Sequence, residues 1–332
     1  MINLKFRKYI ALYFEKTSKI MKDKNNKDII TMQFFQRSND VVLCGINEVL
    51  SLLKESTEYK KYSIKYLPEG SVIKEKEVVL ELEGKYQYFG ALEGIIDGIL
   101  SRMSSIATNS RNVIKAAGQK EVIFLGDRSD HYINQSRDGY AVDLGGIKTQ
   151  VTKEQVSLTK GKITGTMPHA LIQMHKGDVI EAVKAFRNSF PNDDIAVLVD
   201  FNNNVINDSL KILKEFGEYI KAVRVDTAPN LVDISLEGKE EYGVTSNLIK
   251  LLRKELDQKG GKHIKIIVSS GFTSKKIKQF ENENTPVDYY GVGSSILKIN
   301  LSFTADAVRL NKINIAKVGR KYNHSDRLIK LK

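Results

Sequence analysis

From residue 121 onward, short apolar runs alternate with amphipathic helical segments, and this alternation constrains the fold more than any other feature of the chain. The runs have the character of buried β-strands and lie at 122–124, 141–144, 163–164, 195–199, 222–225, 264–268 and 287–290. Helical segments separate the later runs; Asp178, for example, can cap a helix over 179–190 that ends before Pro191. Repeated βα units form parallel sheets. Seven runs in about 180 residues therefore predict an α/β fold, a closed but irregular βα barrel that is smaller than the usual ~250 residues.

The residues before this region have mixed α and β character. The sequence at 67–70 is typical of a turn, and 78–84 alternates partly like a strand that closes on a glycine. The βα rhythm is lost again near the end of the chain. We therefore predict a mixed α/β unit with connecting helices over 1–118, the barrel over 119–300, and a tail over 301–332 that packs back on the first unit.

The composition limits the partners that the chain can have. The formal charge of +12 is compatible with nucleic-acid binding, but the lysines are interspersed with Glu and Asp, as in 211–215, which favours solvated helix faces over a nucleic-acid groove. A positive field also favours capture of a polyanionic small substrate. No apolar run reaches the roughly 20 residues of a membrane span, residues 1–5 lack the apolar stretch of a signal peptide, and the lone Cys44 can form no internal disulfide. We therefore expect a cytoplasmic protein with no membrane or nucleic-acid partner.

A histidine lies directly after one predicted strand. The strand-like run at 162–164 is followed by Gly-Thr-Met-Pro-His at 165–169, which places His169 on a tight turn. Barrel enzymes keep their chemistry at such strand ends. The alternative is a histidine that only hydrogen-bonds the turn.

Charged residues stand at the ends of other predicted strands. Arg128 and Arg224 carry a rigid guanidinium that suits a carboxylate or a phosphate, although each could instead pair with a barrel aspartate. Asp200 and Asp226 end consecutive apolar runs, so both carboxylates should point to the same mouth of the barrel. They could bind ribose hydroxyls or hold Mg²⁺ through water, and no residue is predicted as a certain metal ligand.

Small residues follow the last two predicted strands, at 269–271 and 291–294. They allow backbone N–H groups to approach an anion closely, and a following helix adds its positive N-terminal end. This pattern predicts a phosphate site, with glycine turns that bind no ligand as the alternative. Ile296 stands where the dinucleotide fingerprint requires a third glycine, and 142–149 lacks the P-loop pattern, so neither nucleotide motif is present.

Taken together, these segments resemble nicotinate phosphoribosyltransferases, in particular the compact archaeal-type branch of the type II phosphoribosyltransferases. The most specific match is Gly-Thr-Met-Pro-His-Ala-Leu at 165–171. Further matches lie at 13–17, 31–37, 43–45, 67–70, 105–108, 124–128, 223–227, 303–306 and 316–320. Ser129 and Tyr132 depart from the family pattern. The resemblance covers nearly the whole chain and implies an N-terminal α/β sandwich domain on the irregular barrel, in a homodimer that shares active sites between subunits.

The resemblance also implies a reaction. Members of this family join nicotinate to 5-phosphoribosyl 1-pyrophosphate, giving nicotinate mononucleotide and pyrophosphate for NAD biosynthesis, with Mg²⁺ and with ATP hydrolysis as an energetic assist. In that reading His169 becomes phosphorylated, and Asp200 and Asp226 are catalytic, with Mg²⁺ held through the substrate. The residues implied for nicotinate are Tyr13, Thr166 and Arg224, with Arg128 serving the same pocket or the pyrophosphate. Those implied for the 5-phosphate are Ser270, Gly271, Gly293 and Ser294.

Two other functions stay open on the sequence. Quinolinate phosphoribosyltransferase shares the architecture but binds a dicarboxylate and needs no ATP, so it should have more basic residues at its strand ends. A non-catalytic barrel that binds a phosphorylated metabolite or RNA through its basic surface is the second alternative.

Overall fold

The structure, a computed structural model, describes residues 4–332. Residues 1–3, which contribute to the signal-peptide argument, lie outside the described residues. The helices are α1 (Leu4–Arg7), α2 (Leu12–Asp23), α3 (Ile46–Ser56), α4 (Glu93–Ala117), α5 (Gln135–Leu144), α6 (His169–Met174), α7 (Val179–Ser189), α8 (Val205–Phe216), α9 (Ser246–Gln258) and α10 (Ser274–Asn282). The strands are β1 (Ile30–Phe35), β2 (Val41–Val42), β3 (Ser63–Tyr66), β4 (Val72–Ile73), β5 (Leu80–Gly84), β6 (Glu121–Phe124), β7 (Thr149–Gln150), β8 (Lys162–Ile163), β9 (Ile195–Leu198), β10 (Ile220–Val225), β11 (Lys265–Val268), β12 (Tyr289–Val292), β13 (Thr304–Leu310) and β14 (Ile329–Lys330). No helix in this part of the chain combines the length and the apolar content that crossing a membrane requires.

The described chain divides into two compact units, one formed by the residues up to Thr108 together with Lys298–Lys332, and the other by Asn109–Leu297. In the first unit an antiparallel sheet has the strand order β13-β1-β5-β3-β14, so strands from the end of the chain form both of its edges. Alternate residues of a strand face the same side of a sheet. Phe34 of β1 and Leu82 of β5 therefore share one buried core, to which α3 adds Val49 and Leu53.

The second unit contains a parallel sheet with the order β8-β7-β6-β12-β11-β10-β9. Helices follow most of its strands, and the sheet curls into a half-barrel with β8 and β9 at its two ends. The predicted fold class, an α/β protein with an irregular βα barrel and an N-terminal mixed domain, is confirmed. The described residues do not close the barrel completely, since β8 has only two residues, both exposed, and pairs with β7 alone.

One of the predicted barrel strands is wrong. Residues 141–144 form the last turn of α5, in which Ala141 and Val142 are buried. A short run with three apolar residues is equally compatible with a strand and with the buried side of a helix. The missing strand is β7, whose two residues are both polar, so no apolar run marks it in the sequence. Gln150 of β7 is nevertheless buried, and its side-chain amide donates to the carbonyl of Gly139 at 3.0 Å.

Side chains that accept hydrogen bonds from first-turn amides set the starts of several helices. Asp178 accepts from the amides two and three residues later, at 2.9 and 3.1 Å, which confirms the predicted cap of α7. The start of α8 is set in the same way. Asn204 caps its start, and Gly217, with a φ of 54°, follows its last residue.

We expect Asp178→Ala to lower the free energy of unfolding by about 1 kcal/mol, because it removes the acceptor of two first-turn amides of α7. Asp194→Ala is the matched control, since Asp194 is exposed and makes no hydrogen bond or ion pair within the described residues. Urea denaturation of the two variants measures the difference. Losses of similar size would mean that the lost charge, and not the lost cap, is responsible.

Candidate functional site

The carboxyl ends of the parallel strands surround a cavity of about 500 Å³ in the second unit. Apolar side chains of the strands, including Ile123, Leu198 and Ile267, form part of its lining. The polar part of the lining comes mainly from the segments that follow β6, β7 and β8 and from the end of β10. Cavities of this size bind small molecules, and a few polar groups fix the orientation of the ligand.

Arg224, near the end of β10, is held in this cavity by three hydrogen bonds. Nε donates to Ser269 Oγ at 2.9 Å, Nη1 donates to Thr166 Oγ1 at 3.1 Å, and Nη2 donates to Asp226 Oδ2 at 3.2 Å. Only 16% of the Arg224 side chain and 15% of the Asp226 side chain are exposed. Charge-assisted bonds of this kind are stronger and better oriented than neutral ones. The guanidinium plane is therefore fixed before any ligand binds.

His169, the first residue of α6, is oriented by a carboxylate. Its Nε2 lies 3.0 Å from Asp200 Oδ2, and 44% of the imidazole side chain is exposed while Asp200 is nearly buried. A neutral histidine that donates from Nε2 keeps a lone pair on Nδ1. Within the described residues Nδ1 has no hydrogen-bond partner, so it is available to a ligand.

The carboxyl group of Asp200 has a raised pKa and one oxygen without a hydrogen-bond partner among the described residues. Burial raises its pKa above the ordinary value, the nearby charge of Asp226 raises it further, and the bond to His169 opposes both effects. Its second oxygen, Oδ1, is buried and has no hydrogen-bond partner in the described part of the chain. Burying such an oxygen costs free energy unless a ligand supplies the missing hydrogen-bond partner.

The two glycine-containing turns follow adjacent strands, β11 and β12. Ser270 and Gly271 have φ values of 73° and 70°, a turn conformation in which successive N–H groups can point at one anion. A Cβ on Gly293 would lie 2.9 Å from the carbonyl oxygen of Leu125, so glycine is required there by close packing as well. The prediction that a helix follows both turns is right for β11, which precedes α10, and wrong for β12, which is followed only by turns.

Five of the predicted site residues line the cavity, and the remaining ones lie elsewhere. The five are Arg128, Thr166, His169, Arg224 and Asp226. Asp200 is connected to them through His169. The lining does not include the four residues predicted for the phosphate, Ser270, Gly271, Gly293 and Ser294. It also does not include Tyr13, which belongs to α2 in the first unit and is 66% exposed. The functional roles of all these residues stay predictions.

Sequence reasoning missed two polar residues at the site. Thr152 follows the unpredicted strand β7, lines the cavity, and donates from Oγ1 to Gln135 Oε1 at 2.9 Å. The side-chain amide of Gln135 in turn donates to the carbonyl of Asp127 at 3.0 Å, which braces the segment that carries Arg128. Ser269 was visible in the sequence only as part of a turn for phosphate, whereas its hydroxyl contacts Arg224.

Asp200→Asn provides a pH-dependent test of this geometry. The raised folded-state pKa means that ionisation of Asp200 destabilises the folded chain as the pH rises from its ordinary value of 3.8 through the raised value. The free energy of unfolding of the wild-type protein should therefore fall relative to that of the variant across this range. Urea titrations between about pH 4 and about pH 8 measure the difference. A difference that does not change with pH would show that Asp200 ionises like an exposed carboxyl group.

The chain is similar in sequence to known phosphoribosyltransferases. Residues 11–104 match the family described as quinolinate phosphoribosyl transferase, N-terminal domain. The chain is 24% identical over 240 residues to nicotinate phosphoribosyltransferase of Bacillus subtilis, and 24% identical over 236 residues to nicotinate phosphoribosyltransferase pncB2 of Mycobacterium tuberculosis. These matches cover 71% and 69% of this chain but 45% and 47% of the relatives, so the chain spans about half the length of the curated relatives it matches.

Two solved proteins with similar folds have names that refer to nicotinate or nicotinic acid. Nicotinate-nucleotide pyrophosphorylase from Pyrococcus furiosus has a TM-score of 0.84 at 29% identity, over 98% of this chain and 81% of that one. Human nicotinic acid phosphoribosyltransferase has a TM-score of 0.69 at 14% identity, over 95% of this chain and 76% of that one, a likeness that concerns the fold alone. The resemblance drawn from the sequence is thus confirmed: in sequence and in fold, this chain is similar to the nicotinate phosphoribosyltransferases.

Proposed function

We propose that this chain is a phosphoribosyltransferase of NAD biosynthesis that joins nicotinate to 5-phosphoribosyl 1-pyrophosphate and releases pyrophosphate. The observation that carries the proposal is the guanidinium of Arg224, fixed by Thr166 and Asp226 in the cavity that His169 also lines. The curated relatives carry this activity in their names. The name of the similar Pyrococcus furiosus protein refers to nicotinate nucleotide and pyrophosphate, the two products of the proposed reaction.

The proposed transfer breaks the bond between C1 of the ribose and pyrophosphate and forms a bond from C1 to the pyridine nitrogen. The transition state resembles an oxocarbenium ion and the leaving group is a polyanion, so catalysis depends on positioning and on cationic groups, with little need for a general base. Arg128 is exposed, lines the cavity, and makes no hydrogen bond or ion pair within the described residues, so it is available to an anionic group. Asp226 can accept hydrogen bonds from ribose hydroxyls, and the turns at Ser270–Gly271 and Gly293–Ser294 would bind the 5-phosphate.

The charges of the cavity favour a pyridine with one carboxylate over one with two. Arg224 is already paired with Asp226, and no lysine is among the described residues that line the cavity. Arg128 alone carries a full positive charge without a carboxylate partner there. Because an uncompensated charge is costly to bury, the second carboxylate of quinolinate would be disfavoured.

We propose that Mg²⁺ binds together with the pyrophosphate. In the described part of the chain no group of three or more His, Cys, Asp or Glu side chains is arranged to hold a metal ion. Ser269 and Arg224 engage both oxygens of Asp226, whereas Oδ1 of Asp200 lacks a partner among the described residues. These residues fit an ion that is carried by substrate oxygens and water, with Asp200 offering one further oxygen. When bound, the ion would neutralise charge on the leaving pyrophosphate.

We also propose that ATP hydrolysis is coupled to the transfer through His169. The hydrogen bond from Nε2 to Asp200 leaves the Nδ1 lone pair free to attack the γ-phosphorus of ATP, forming an N–P bond as ADP leaves. Asp200 would orient the ring and stabilise the charged imidazole.

We further propose a cytoplasmic homodimer with shared sites, in which the exposed Tyr13 contacts nicotinate.

Nicotinate should be the preferred pyridine. The purified protein is incubated with 5-phosphoribosyl 1-pyrophosphate, Mg²⁺ and nicotinate, quinolinate or nicotinamide in turn, with and without ATP, and the products are identified by mass. Quinolinate turned over as fast as nicotinate, with release of CO₂, would contradict the charge argument. Absence of any product, together with RNA binding that weakens steeply with salt, would favour the non-catalytic alternative.

His169→Ala should abolish the ATP stimulation and leave some ATP-independent transfer, because the transfer itself depends on Arg224, Arg128 and Mg²⁺. His175→Ala is the matched control: His175 lies just after the same helix and does not line the cavity. Acid-labile phosphate should form on the wild-type and His175→Ala proteins after exposure to ATP and be absent from His169→Ala. A His169→Ala enzyme with full ATP stimulation would exclude the assignment.

A further inference from the structure

We infer that Ser269 is a positioning residue that sets the orientation of Arg224 and Asp226 for the pyridine substrate, an inference that rests on the proposed function. Ser269 is the first residue after β11 and is 2% exposed. It is outside the cavity lining and contacts no bound group, so it is not a catalytic residue. Its role would be exerted through the two charged side chains that do line the cavity.

The strand pairing places Ser269 beside the end of β10. Val225 of β10 is paired with Val268 of β11, and the Ser269 amide donates to the carbonyl of Val225 at 3.0 Å. This backbone bond fixes the Cα of Ser269. The hydroxyl is then directed at the side chains on either side of Val225, namely Arg224 and Asp226.

The hydroxyl is used for these side chains and not for the backbone. A serine has one donor hydrogen, and Oγ lies 2.6 Å from Asp226 Oδ1 but 3.4 Å from the carbonyl of Val225. Oγ also accepts the 2.9 Å bond from Arg224 Nε. With the 3.2 Å bond from Arg224 Nη2 to Asp226 Oδ2, these contacts form a closed ring of three side chains.

The ring of hydrogen bonds leaves two N–H groups of Arg224 for a ligand. An arginine has five N–H donors in one plane. Ser269, Thr166 and Asp226 accept three of them, which leaves one hydrogen on each terminal nitrogen for a ligand. These two N–H groups reach the oxygens of a carboxylate only when the guanidinium plane is correctly oriented. Without the Ser269 bond, Nε would lose its acceptor and the guanidinium could rotate.

Another buried serine of the same unit has a hydroxyl that bonds only within its own helix. Ser209 on α8 is fully buried, and its Oγ donates to the carbonyl of Val205 at 2.7 Å, within its own helix. It touches no charged side chain through that hydroxyl. Ser209→Ala therefore reproduces the loss of a buried hydroxyl without the loss of a bond to Arg224.

The kinetic test compares Ser269→Ala, Ser269→Thr and Ser209→Ala. Ser269→Ala should lower kcat/KM for nicotinate by roughly ten- to a hundredfold, the range for a lost hydrogen bond to charged groups. Ser269→Thr, which retains the hydroxyl, should recover most of that loss, and Ser209→Ala should leave the kinetics unchanged. An unaltered kcat/KM in Ser269→Ala, or an equal loss in Ser209→Ala, would overturn the inference. If Ser269→Ala does not fold, Ser269→Cys, a close match in size with a weaker donor, is compared in the same way.

A second measurement separates this inference from the proposed function. The Arg224 Nε–H signal in ¹H–¹⁵N spectra, assigned by its absence from Arg224→Lys, should exchange slowly with water in the wild-type protein and rapidly in Ser269→Ala. Unchanged exchange would refute the positioning role even in an active enzyme. If no pyridine is turned over by the wild-type protein, the proposed function fails, while accelerated exchange in Ser269→Ala would still show that Ser269 orients Arg224.

Discussion

The parallel pairing of β6, β12, β11 and β10 is the constraint on which the rest of the site depends. It brings the carboxyl ends of these strands to one edge of the sheet, so that residues far apart in sequence become neighbours. Arg224 and Ser269, for example, are separated by 45 positions in the chain and by 2.9 Å in the fold. The turns after β11 and β12 are adjacent for the same reason, and Gly293 is required because β12 packs so closely against the segment after β6.

The electrostatics of the site follow from burial. Removing Arg224 and Asp226 from water costs free energy that their mutual attraction offsets only if the remaining hydrogen-bonding groups are also satisfied. Ser269 and Thr166 accept from two further N–H groups of Arg224, and Ser269 also donates to Asp226. Asp200 is different, because burial raises its pKa and only one of its oxygens has a partner in the described residues. The Arg224–Asp226 pair is thus held in place while one hydrogen stays on each terminal nitrogen of Arg224 for a ligand, whereas Asp200 keeps a whole carboxylate oxygen without a partner in the described residues.

The fold alone does not select the substrate. The N-terminal segment matches a quinolinate phosphoribosyltransferase domain, while the curated relatives are nicotinate phosphoribosyltransferases. Function is decided by the charges at the site and not by the layout of helices and strands. In this cavity one arginine is already neutralised by an aspartate, and that single pairing is what favours a monocarboxylate in our proposal.

The sequence by itself determined the βα alternation, the cap of α7 at Asp178, and the placement of polar residues after the strands, because each depends on residues close together in the chain. It also placed His169, Arg224 and Asp226 at strand ends, and these three line one cavity. Only the tertiary structure decided that 141–144 is helical and that the polar strand β7 is part of the sheet, because burial against distant strands outweighs a local apolar pattern. It alone also directed the Ser269 hydroxyl to Arg224 and Asp226. That contact depends on the register between β10 and β11, and register is a long-range property that no local spacing of residues encodes.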